Sequence, residues 1–189
     1  MAEQVFPTKG NLIKAKKTLA LCNLGYELMD RKRNILIREM MTLMDKAKSL
    51  RDSIEDTYKE AYAALQGANI TLGVIENIAR SIPVENGISV SYRSVMGVDI
   101  PKLTLKRTKT EVPYGFYSTN SQLDQAYVSF SKVKDITVLL AEVENSVYRL
   151  ANAIKKTQRR ANALKNISIP RFEETVRYIS SALEEKERE

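Results

Sequence analysis

The sequence predicts a mainly α-helical protein, in which two long helices form an antiparallel coiled coil with a small β-hairpin head in the middle of the chain. Apolar residues recur at steps of three and four over the first and last parts of the chain, which is coiled-coil spacing. Between these parts the spacing changes to the alternation typical of strands. The predicted division is an N-terminal coiled-coil helix at 1–82, a β-hairpin head with an aromatic turn at 83–120 and a C-terminal coiled-coil helix at 121–189. All three parts belong to one elongated domain.

The N-terminal helix is predicted from the longer of two apolar seams. Only Arg33, Thr57 and Thr71 interrupt its run of apolar or small residues. At the rise of an α-helix, this segment would be on the order of 100 Å long. Pro7 stands at its start and Pro83 ends it, because the residue before a proline disfavours helical geometry. The seam consists of Leu12, Ala15, Leu19, Cys22, Tyr26, Met29, Arg33, Leu36, Met40, Leu43, Ala47, Leu50, Ile54, Thr57, Ala61, Ala64, Ala68, Thr71, Ile75 and Ile78.

The C-terminal helix is predicted from a second seam of the same spacing, which resumes beyond Pro170. Since proline has no backbone N–H, Pro170 is expected to kink the helix or to break its hydrogen bonding locally. The two seams have similar lengths and a short middle segment joins them, so antiparallel pairing is favoured over a parallel pairing with a long return connection. The seam consists of Val133, Ile136, Leu140, Val143, Val147, Leu150, Ile154, Thr157, Ala161, Leu164, Phe172, Val176, Ile179 and Leu183.

The hairpin head is predicted from the stretch "ISVSYRSVMGVDIPKL". Its apolar residues alternate at Ile88, Val90 and Tyr92, the chain turns near Met96 and Gly97, and the alternation resumes at Val98 and Ile100. Pro101 cannot donate a ladder hydrogen bond, so it is expected on an exposed edge. A two-stranded hairpin is only marginally stable by itself, so the head must pack on the helices or on a partner.

An aromatic turn, "PYGFY", follows the hairpin. Its aromatic side chains are expected to pack against the base of the helices and not to form a ligand site. These residues are Tyr114, Phe116 and Tyr117.

The 189-residue chain lacks the residues on which most catalytic and metal sites depend. It contains no histidine, which excludes an imidazole base and a histidine-ligated metal. Cys22 is its single cysteine, so it has no internal disulfide and no thiolate zinc site. None of its seven glycines opens a phosphate-binding loop. We therefore expect no enzyme activity in this chain alone, and no catalytic, cofactor-binding or metal site.

The charge and hydropathy of the chain indicate where it acts. A formal net charge of +7 and an isoelectric point near 9.4 favour acidic partners. The N-terminal residues lack the apolar core of a signal peptide. No stretch approaches the ~18 apolar residues of a membrane span. We expect a soluble cytoplasmic protein without direct membrane insertion.

A basic stretch, "KKTQRRANALKNISIP", occupies Lys155–Pro170 with five basic residues and no acidic one. Antiparallel pairing of the two seams predicts that Arg159 lies near Met40 and Arg171 near Leu28. This register brings the basic stretch beside a second one, "DRKRNILIR". Together they predict a basic belt around the coiled coil, made of Arg31, Lys32, Arg33, Arg38, Arg159 and Arg160.

Three interpretations of the basic belt are open. It could be a solvated coiled-coil face, which is the usual role of charge runs on helices. It could bind nucleic acid, although no aromatic interleaving and no helix-turn-helix, zinc or RNP pattern accompanies it. It could instead face acidic segments of a protein that surrounds the helices, where charge guides encounter and register without deep interlocking.

Several motifs occur in an order and spacing typical of one protein family. The chain resembles the D subunit of the V-type and A-type rotary ATPases along nearly its whole length. The motifs are Pro7–Lys9 before Leu12, Gly25 and Leu28 followed by Lys32–Arg33, "VMGVDIP" at Val95–Pro101, "TQRRANAL" with Ile169–Pro170, Tyr178–Ile179, and "LEEKER" at Leu183–Arg188. The family usually has lysine at Asp30, aspartate at Asn34 and a larger apolar residue at Ala161.

The resemblance implies a mechanical role as the central-stalk rotor of a complex that moves protons or sodium ions. The paired terminal ends of such a shaft enter the ring of catalytic A and non-catalytic B subunits. A small partner, the F subunit, binds one-to-one on the coiled coil, and a socket subunit meets the shaft at the membrane ring. Nucleotide binds the ring, so the shaft itself needs no cofactor. The complex makes the shaft peripheral to the membrane.

The resemblance also gives the basic belt a partner, since its six residues would contact acidic parts of the catalytic ring. Two alternatives from other classes remain at the level of the sequence. One is a coiled-coil scaffold or adaptor unrelated to rotary motors. The other is a basic coiled coil that binds nucleic acid, for which affinity for any duplex would fall steeply with salt.

Overall fold

A computed structural model of the protein describes residues 6–106 and 113–188. Residues 107–112 of the predicted head segment lie outside the described residues. The elements in chain order are α1 (Lys9–Leu72), α2 (Glu76–Ser81), β1 (Ile88–Val95), β2 (Val98–Leu105), a 3₁₀ turn (Phe116–Ser118), α3 (Ser121–Ala163), a π-helical turn (Leu164–Ser168) and α4 (Ile169–Arg188). Two long helical segments with an antiparallel hairpin between them confirm the predicted fold class.

The chain divides into two compact units. The terminal unit comprises residues 1–38 and 151–189, and the central unit comprises residues 39–150. Within the described parts of both units, none of the helices has an apolar stretch long enough to cross a bilayer.

In the terminal unit, the start of α1 runs antiparallel to α4. Thr8 caps α1, since its Oγ1 accepts a hydrogen bond from the Asn11 N–H at 3.2 Å. Lys9 at this end forms an ion pair with Glu187 near the end of α4, with 3.1 Å between Nζ and Oε1. The interior is the predicted seam: the most deeply buried apolar residues are Ala15, Leu36, Ala161 and Ile179.

A π-helical turn separates α3 from α4 where the sequence predicts a disturbance at Pro170. The Ile169 N–H bonds the carbonyl of Leu164, five residues back instead of four. Because Pro170 cannot donate to the preceding turn, a wider turn accommodates it without ending the helix. The predicted local break in hydrogen bonding is thus confirmed, and α4 continues to Arg188.

In the central unit, α1 runs antiparallel to the first part of α3. The Tyr58 and Thr137 hydroxyls share a hydrogen bond of 3.1 Å. The rings of Tyr62 and Phe130 meet edge to face at 5.8 Å between centroids. Ala61 in this part of the seam is fully buried, which allows close approach of the two helices. The seam prediction therefore holds in this unit too.

The prediction that the first helix continues to Ile82 is wrong. Helix α1 ends at Leu72, because Gly73 adopts the left-handed conformation with φ of +75°. The Gly73 N–H bonds the carbonyl of Asn69 at 3.0 Å, which is the hydrogen bond of an αL helix cap. The short helix α2 then follows. The seam residues Ile75 and Ile78 beyond the break still pack on the cluster of Ala68, Tyr114 and Leu123, and so does Ile82.

The hairpin forms where it is predicted. Strands β1 and β2 pair from Ile88↔Leu105 to Val95↔Val98. Met96 and Gly97 both have positive φ, at 51° and 75°, which is the geometry of a two-residue type I′ turn. This turn matches the twist of the two strands and fixes their register.

Two predictions about the head need correction. Pro101 lies on a sheet edge, as every residue of a two-stranded sheet does, but it is buried and not exposed. Of the aromatic turn, only Tyr114 packs in the core, while Phe116 and Tyr117 are exposed. Tyr114 is held by a hydrogen bond from its hydroxyl to Asp124 Oδ1 at 2.7 Å. The sequence shows that the turn is aromatic but not which ring finds a polar partner.

Candidate functional site

The positive charge of the protein is concentrated in the terminal unit. Residues 1–38 and 151–189 hold seventeen lysines and arginines against nine acidic residues, a net charge of +8. The central unit holds thirteen basic and fourteen acidic residues, a net charge of −1, and the two values give the +7 of the whole chain. An acidic partner would therefore be attracted to the terminal unit.

One member of the predicted basic belt, Arg33, has a structural role. It occupies a seam position, and its side chain is 25% exposed. Its Nη2 lies 2.6 Å from Asp30 Oδ1, and its Nη1 donates to Gln158 Oε1 at 2.9 Å. Asn34 Oδ1 accepts two further hydrogen bonds, at 3.3 and 3.1 Å. Arg33 is thus committed to its own unit by four polar contacts.

The Arg33 contacts also involve Asp30 and Asn34, which contact each other. Asn34 Nδ2 donates to Asp30 Oδ2 at 3.3 Å, so these two side chains support each other beneath the guanidinium. Together with Gln158, they complete a network of polar contacts around an arginine on the seam, and the Asp30 carboxylate offsets its charge.

The predicted register of the two helices is wrong by about one heptad. Gln158 lies against Arg33, and the Lys165 ammonium lies 5.8 Å from the ring centroid of Tyr26. These pairs place the basic stretch nearer the start of α1 than the predicted contact with Met40. A seam that repeats every seven residues cannot distinguish registers one heptad apart. The polar contacts of Arg33 can.

The observed register moves Arg159 and Arg160 toward Arg31 and Lys32 and away from Arg38. Gln158 is level with Arg33. Arg159 and Arg160, which follow Gln158, therefore lie within about one helical turn of Arg31 and Lys32. Lys32 is partly exposed, and the other members apart from Arg33 are exposed; these are Arg31, Arg38, Arg159 and Arg160. Arg31 makes only a long ion pair, at 3.6 Å, with Glu27 one turn earlier on the surface.

A second set of polar residues, which the sequence analysis missed, holds the hairpin on α3. Glu142 Oε2 accepts from the Leu103 N–H at 2.7 Å, and Arg149 Nη1 donates to the Asp99 carbonyl at 3.2 Å. Between them, the Ser146 hydroxyl donates to the Glu142 carbonyl at 2.6 Å, and its Oγ lies 3.5 Å from the Pro101 carbonyl. These three side chains recur along one face of α3 at helical spacing. A polar stripe beside an apolar seam is the signal that could have revealed them.

The hairpin is fixed by charge as well. Arg93 on β1 forms a salt bridge with Glu39 on α1. Lys134 Nζ bonds Glu85 Oε2 at 2.8 Å, just before the hairpin. The predicted turn residues from Val95 to Val98 therefore sit on a head that is attached to both helices of its unit. Within residues 6–106 and 113–188, no three or more acidic or cysteine side chains converge in a group that could hold a metal ion.

These features define a class: a helical-hairpin protein with a basic terminal unit and a β-hairpin head in its central unit. Comparison with known proteins identifies the family. The family model that describes the D subunit of ATP synthase matches residues 11–189. The D subunit of the V-type ATP synthase of Thermotoga neapolitana is 46% identical, over 98% of this chain and 92% of its own length. The D subunits of the A-type ATP synthases of Thermococcus kodakarensis and Pyrococcus horikoshii are 39% and 38% identical, over 100% and 98% of this chain and 92% and 89% of their own lengths.

The chain belongs to the family of ATP synthase D subunits, which confirms the resemblance drawn from the motifs. Since the match extends over nearly the whole chain, it covers both units and the hairpin head. The protein is accordingly part of a V/A-type ATP synthase complex.

Proposed function

We propose that this protein is the central-stalk rotor of its complex and transmits torque between the ATP-hydrolysing ring and the membrane ion-translocating ring. The observation that carries the proposal is the concentration of the net positive charge in the unit formed by both chain ends. A shaft end that turns inside a ring needs contacts that guide it without interlocking. Exposed charge provides such contacts.

The helices suit the transmission of torque. Helix α1 is a single α-helix of 64 residues, and antiparallel partners cover its seam in each unit. Twisting one helix of such a pair displaces seam side chains that are packed at crystal-like density, so the pair resists torsion. Polar contacts on the seam, such as Arg33 with Gln158, oppose sliding from one heptad to the next.

The proposed partners follow from the family. The terminal unit would meet the ring of A and B subunits through Arg31, Lys32, Arg38, Arg159 and Arg160. Arg33 would support them from the seam. The small F subunit would bind one-to-one on the coiled coil, and a socket subunit would join the shaft to the membrane ring. Nucleotide would remain on the ring, and this chain would be non-catalytic.

The assembly of the complex is the first test. Co-expression with the other subunits, followed by sizing and native mass measurement, should give a one-to-one complex with a small subunit that adds as one copy to a hexameric ring. A self-associating coiled coil that ignores both would contradict the rotor proposal and favour a scaffold. Salt-dependent binding of any DNA duplex would instead favour a nucleic-acid protein.

The basic belt is tested by the double variant Arg159→Gln/Arg160→Gln. In the assembled complex, ATP-driven ion transport per ATP hydrolysed should fall several-fold, while helicity measured by circular dichroism stays the same. The matched control is Lys48→Gln/Arg51→Gln, which removes the same charge from exposed positions of the central unit. Equal transport by both double variants, or loss of helicity in the first, would contradict the assignment of the belt.

A further inference from the structure

The two outer edges of the hairpin differ in how far other parts of the protein cover them. The outer edge of β2 is covered by α3, where Glu142 and Arg149 bond outward-facing backbone groups of that strand and Ser146 lies against the Pro101 carbonyl. Pro101 removes one outward N–H from the same edge. Proline, a short strand and side-chain bonds to the backbone are the usual means by which proteins close a sheet edge.

Among the residues that the structure describes, the outer edge of β1 carries no such protection. In the observed register, the backbone groups of alternate residues point away from β2; these residues are Ile88, Val90, Tyr92 and Ser94. Within residues 6–106 and 113–188, no hydrogen bond covers this row of donors and acceptors. Every residue of β1 except Val95 is exposed, and the strand contains no proline.

The same alternate residues form an apolar face. The cross-strand pairs Ile88↔Leu105, Val90↔Leu103 and Tyr92↔Pro101 are apolar on both sides, whereas the pairs between them include Ser89↔Thr104 and Ser91↔Lys102. On β1 the apolar members are 49%, 51% and 60% exposed, respectively. An open edge beside a half-exposed apolar face is a surface that a further strand would complete.

We propose that β1 binds an extended strand from another protein of the complex, which adds to the hairpin as its third strand. A row of free amides and carbonyls recognises the backbone of an extended chain, and neither a helix nor a small ligand offers a matching row. The incoming strand would place apolar side chains beside Val90 and Tyr92. Arg93, the single charged residue of β1, lies on the opposite face and is paired with Glu39, so the incoming strand needs no acidic side chain there.

This inference rests on the proposed function only in locating the strand in another protein of the complex. The register also provides an internal control, because the amides of Ser91 and Arg93 point toward β2 and are already paired. The amides of Val90 and Tyr92 point outward. Addition of a strand must slow hydrogen exchange at Val90 and Tyr92 more than at Ser91 and Arg93.

The test is residue-level amide hydrogen exchange on the full chain, alone and in the complex co-purified with the other subunits. We expect exchange at Val90 and Tyr92 to slow by about tenfold or more on assembly, with a smaller change at Ser91 and Arg93. A complex that forms with unchanged exchange at Val90 and Tyr92 would overturn the strand proposal and leave the rotor proposal intact. Failure of any complex to form would overturn both.

A backbone variant tests the same edge independently. Val90→Pro removes an outward N–H, as Pro101 does on β2, and leaves the hydrogen bonds to β2 in place. The amount of partner that co-purifies with the Val90→Pro chain should fall by about tenfold. Val90→Thr keeps the N–H, so more of the partner should co-purify with it.

Protected amides at Ser91 and Arg93 in the isolated Val90→Pro chain would show that the hairpin survives. If they exchange freely, Val90→Lys is the replacement variant, because a charge blocks an edge without altering the backbone. Unweakened retention in a folded variant would refute the strand site. If protection of the Val90 and Tyr92 amides in the isolated chain rises with protein concentration, the added strand comes from a second copy of this chain. That result would overturn the proposal of a strand from another protein.

Discussion

The terminal and central units are built on the same seam but present different surfaces. The terminal unit carries a net charge of +8 and exposed arginines, and its seam includes Arg33. The central unit has a net charge of −1, a core cluster of Ala68, Tyr114 and Leu123, and a hairpin whose β1 edge is left open by the described residues. One repeating pattern can therefore support two kinds of recognition. Long-range charge would act in the first unit, and backbone and apolar contact in the second.

The largest effect that separates seam from surface is expected at Leu36 in the terminal unit. Leu36 is fully buried, so Leu36→Ala leaves a cavity and should lower the free energy of unfolding by about 2–5 kcal/mol. Leu28→Ala is the matched control on the same helix. Because Leu28 is 53% exposed, its replacement should lower the free energy of unfolding much less. Urea unfolding followed by circular dichroism measures both. Similar losses in the two variants would contradict the observed seam.

Next in size is the seam arginine of the terminal unit. Arg33→Ala leaves Asp30 and Gln158 without their partner and should cost about 1–3 kcal/mol. Arg31→Ala removes a cation whose side chain is 75% exposed and should cost at most about 0.5 kcal/mol. Added salt should change the cost of Arg33→Ala only slightly, because the Arg33 side chain is mostly shielded from solvent. If both variants unfold at the same urea concentration, Arg33 has no special structural role.

The comparison also explains what sequence patterns could predict. The burial of Leu36 and Ile179 follows from spacing, because a seam position is a local property of each helix. The register does not follow from spacing, since each heptad offers the same apolar contacts. It depends on particular polar pairs such as Arg33 with Gln158, whose partners are 125 residues apart in the chain.

The candidate surfaces divide in the same way. The arginines of the belt could be identified from the two basic stretches of the sequence, and the hairpin turn from Met96 and Gly97. The open edge of β1 could not, because both strands of an isolated hairpin look like edges in the sequence. Only the contacts of Glu142 and Arg149 with β2 determine which edge is covered.

In the central unit, Tyr114 should make stability depend on high pH. Burial, with help from the neighbouring Asp124 carboxylate, raises the pKa of Tyr114 to about 12. Because the folded pKa lies above the ordinary value near 10, the contribution is complete below pH ~10 and is lost as pH rises towards 12. Tyr114→Phe should cost about 1 kcal/mol at pH 8 through loss of the hydrogen bond to Asp124.

The measurement for Tyr114 is the difference in unfolding free energy between the wild type and Tyr114→Phe from pH 8 to pH 12. The other tyrosines are common to both proteins and cancel in that difference. We expect the difference to shrink above pH ~10. A difference that stays constant up to pH 12 would mean that Tyr114 ionises no later in the folded state than in the unfolded state.

The smallest effects, of opposite sign, are expected at one glycine in each unit. A Cβ at Gly25 in the terminal unit would lie 3.6 Å from Leu164 Cδ1, an ordinary contact, so Gly25→Ala should stabilise by about 0.5–1 kcal/mol. Gly73 in the central unit ends α1 with φ of +75°, so Gly73→Ala should destabilise by about 1 kcal/mol although nothing lies near its added methyl. Thermal unfolding of the pair isolates backbone conformation from packing. Destabilisation by Gly25→Ala would show that the close approach of Leu164 leaves no room for a methyl group, and stabilisation by Gly73→Ala would show that the break after Leu72 does not depend on the left-handed glycine.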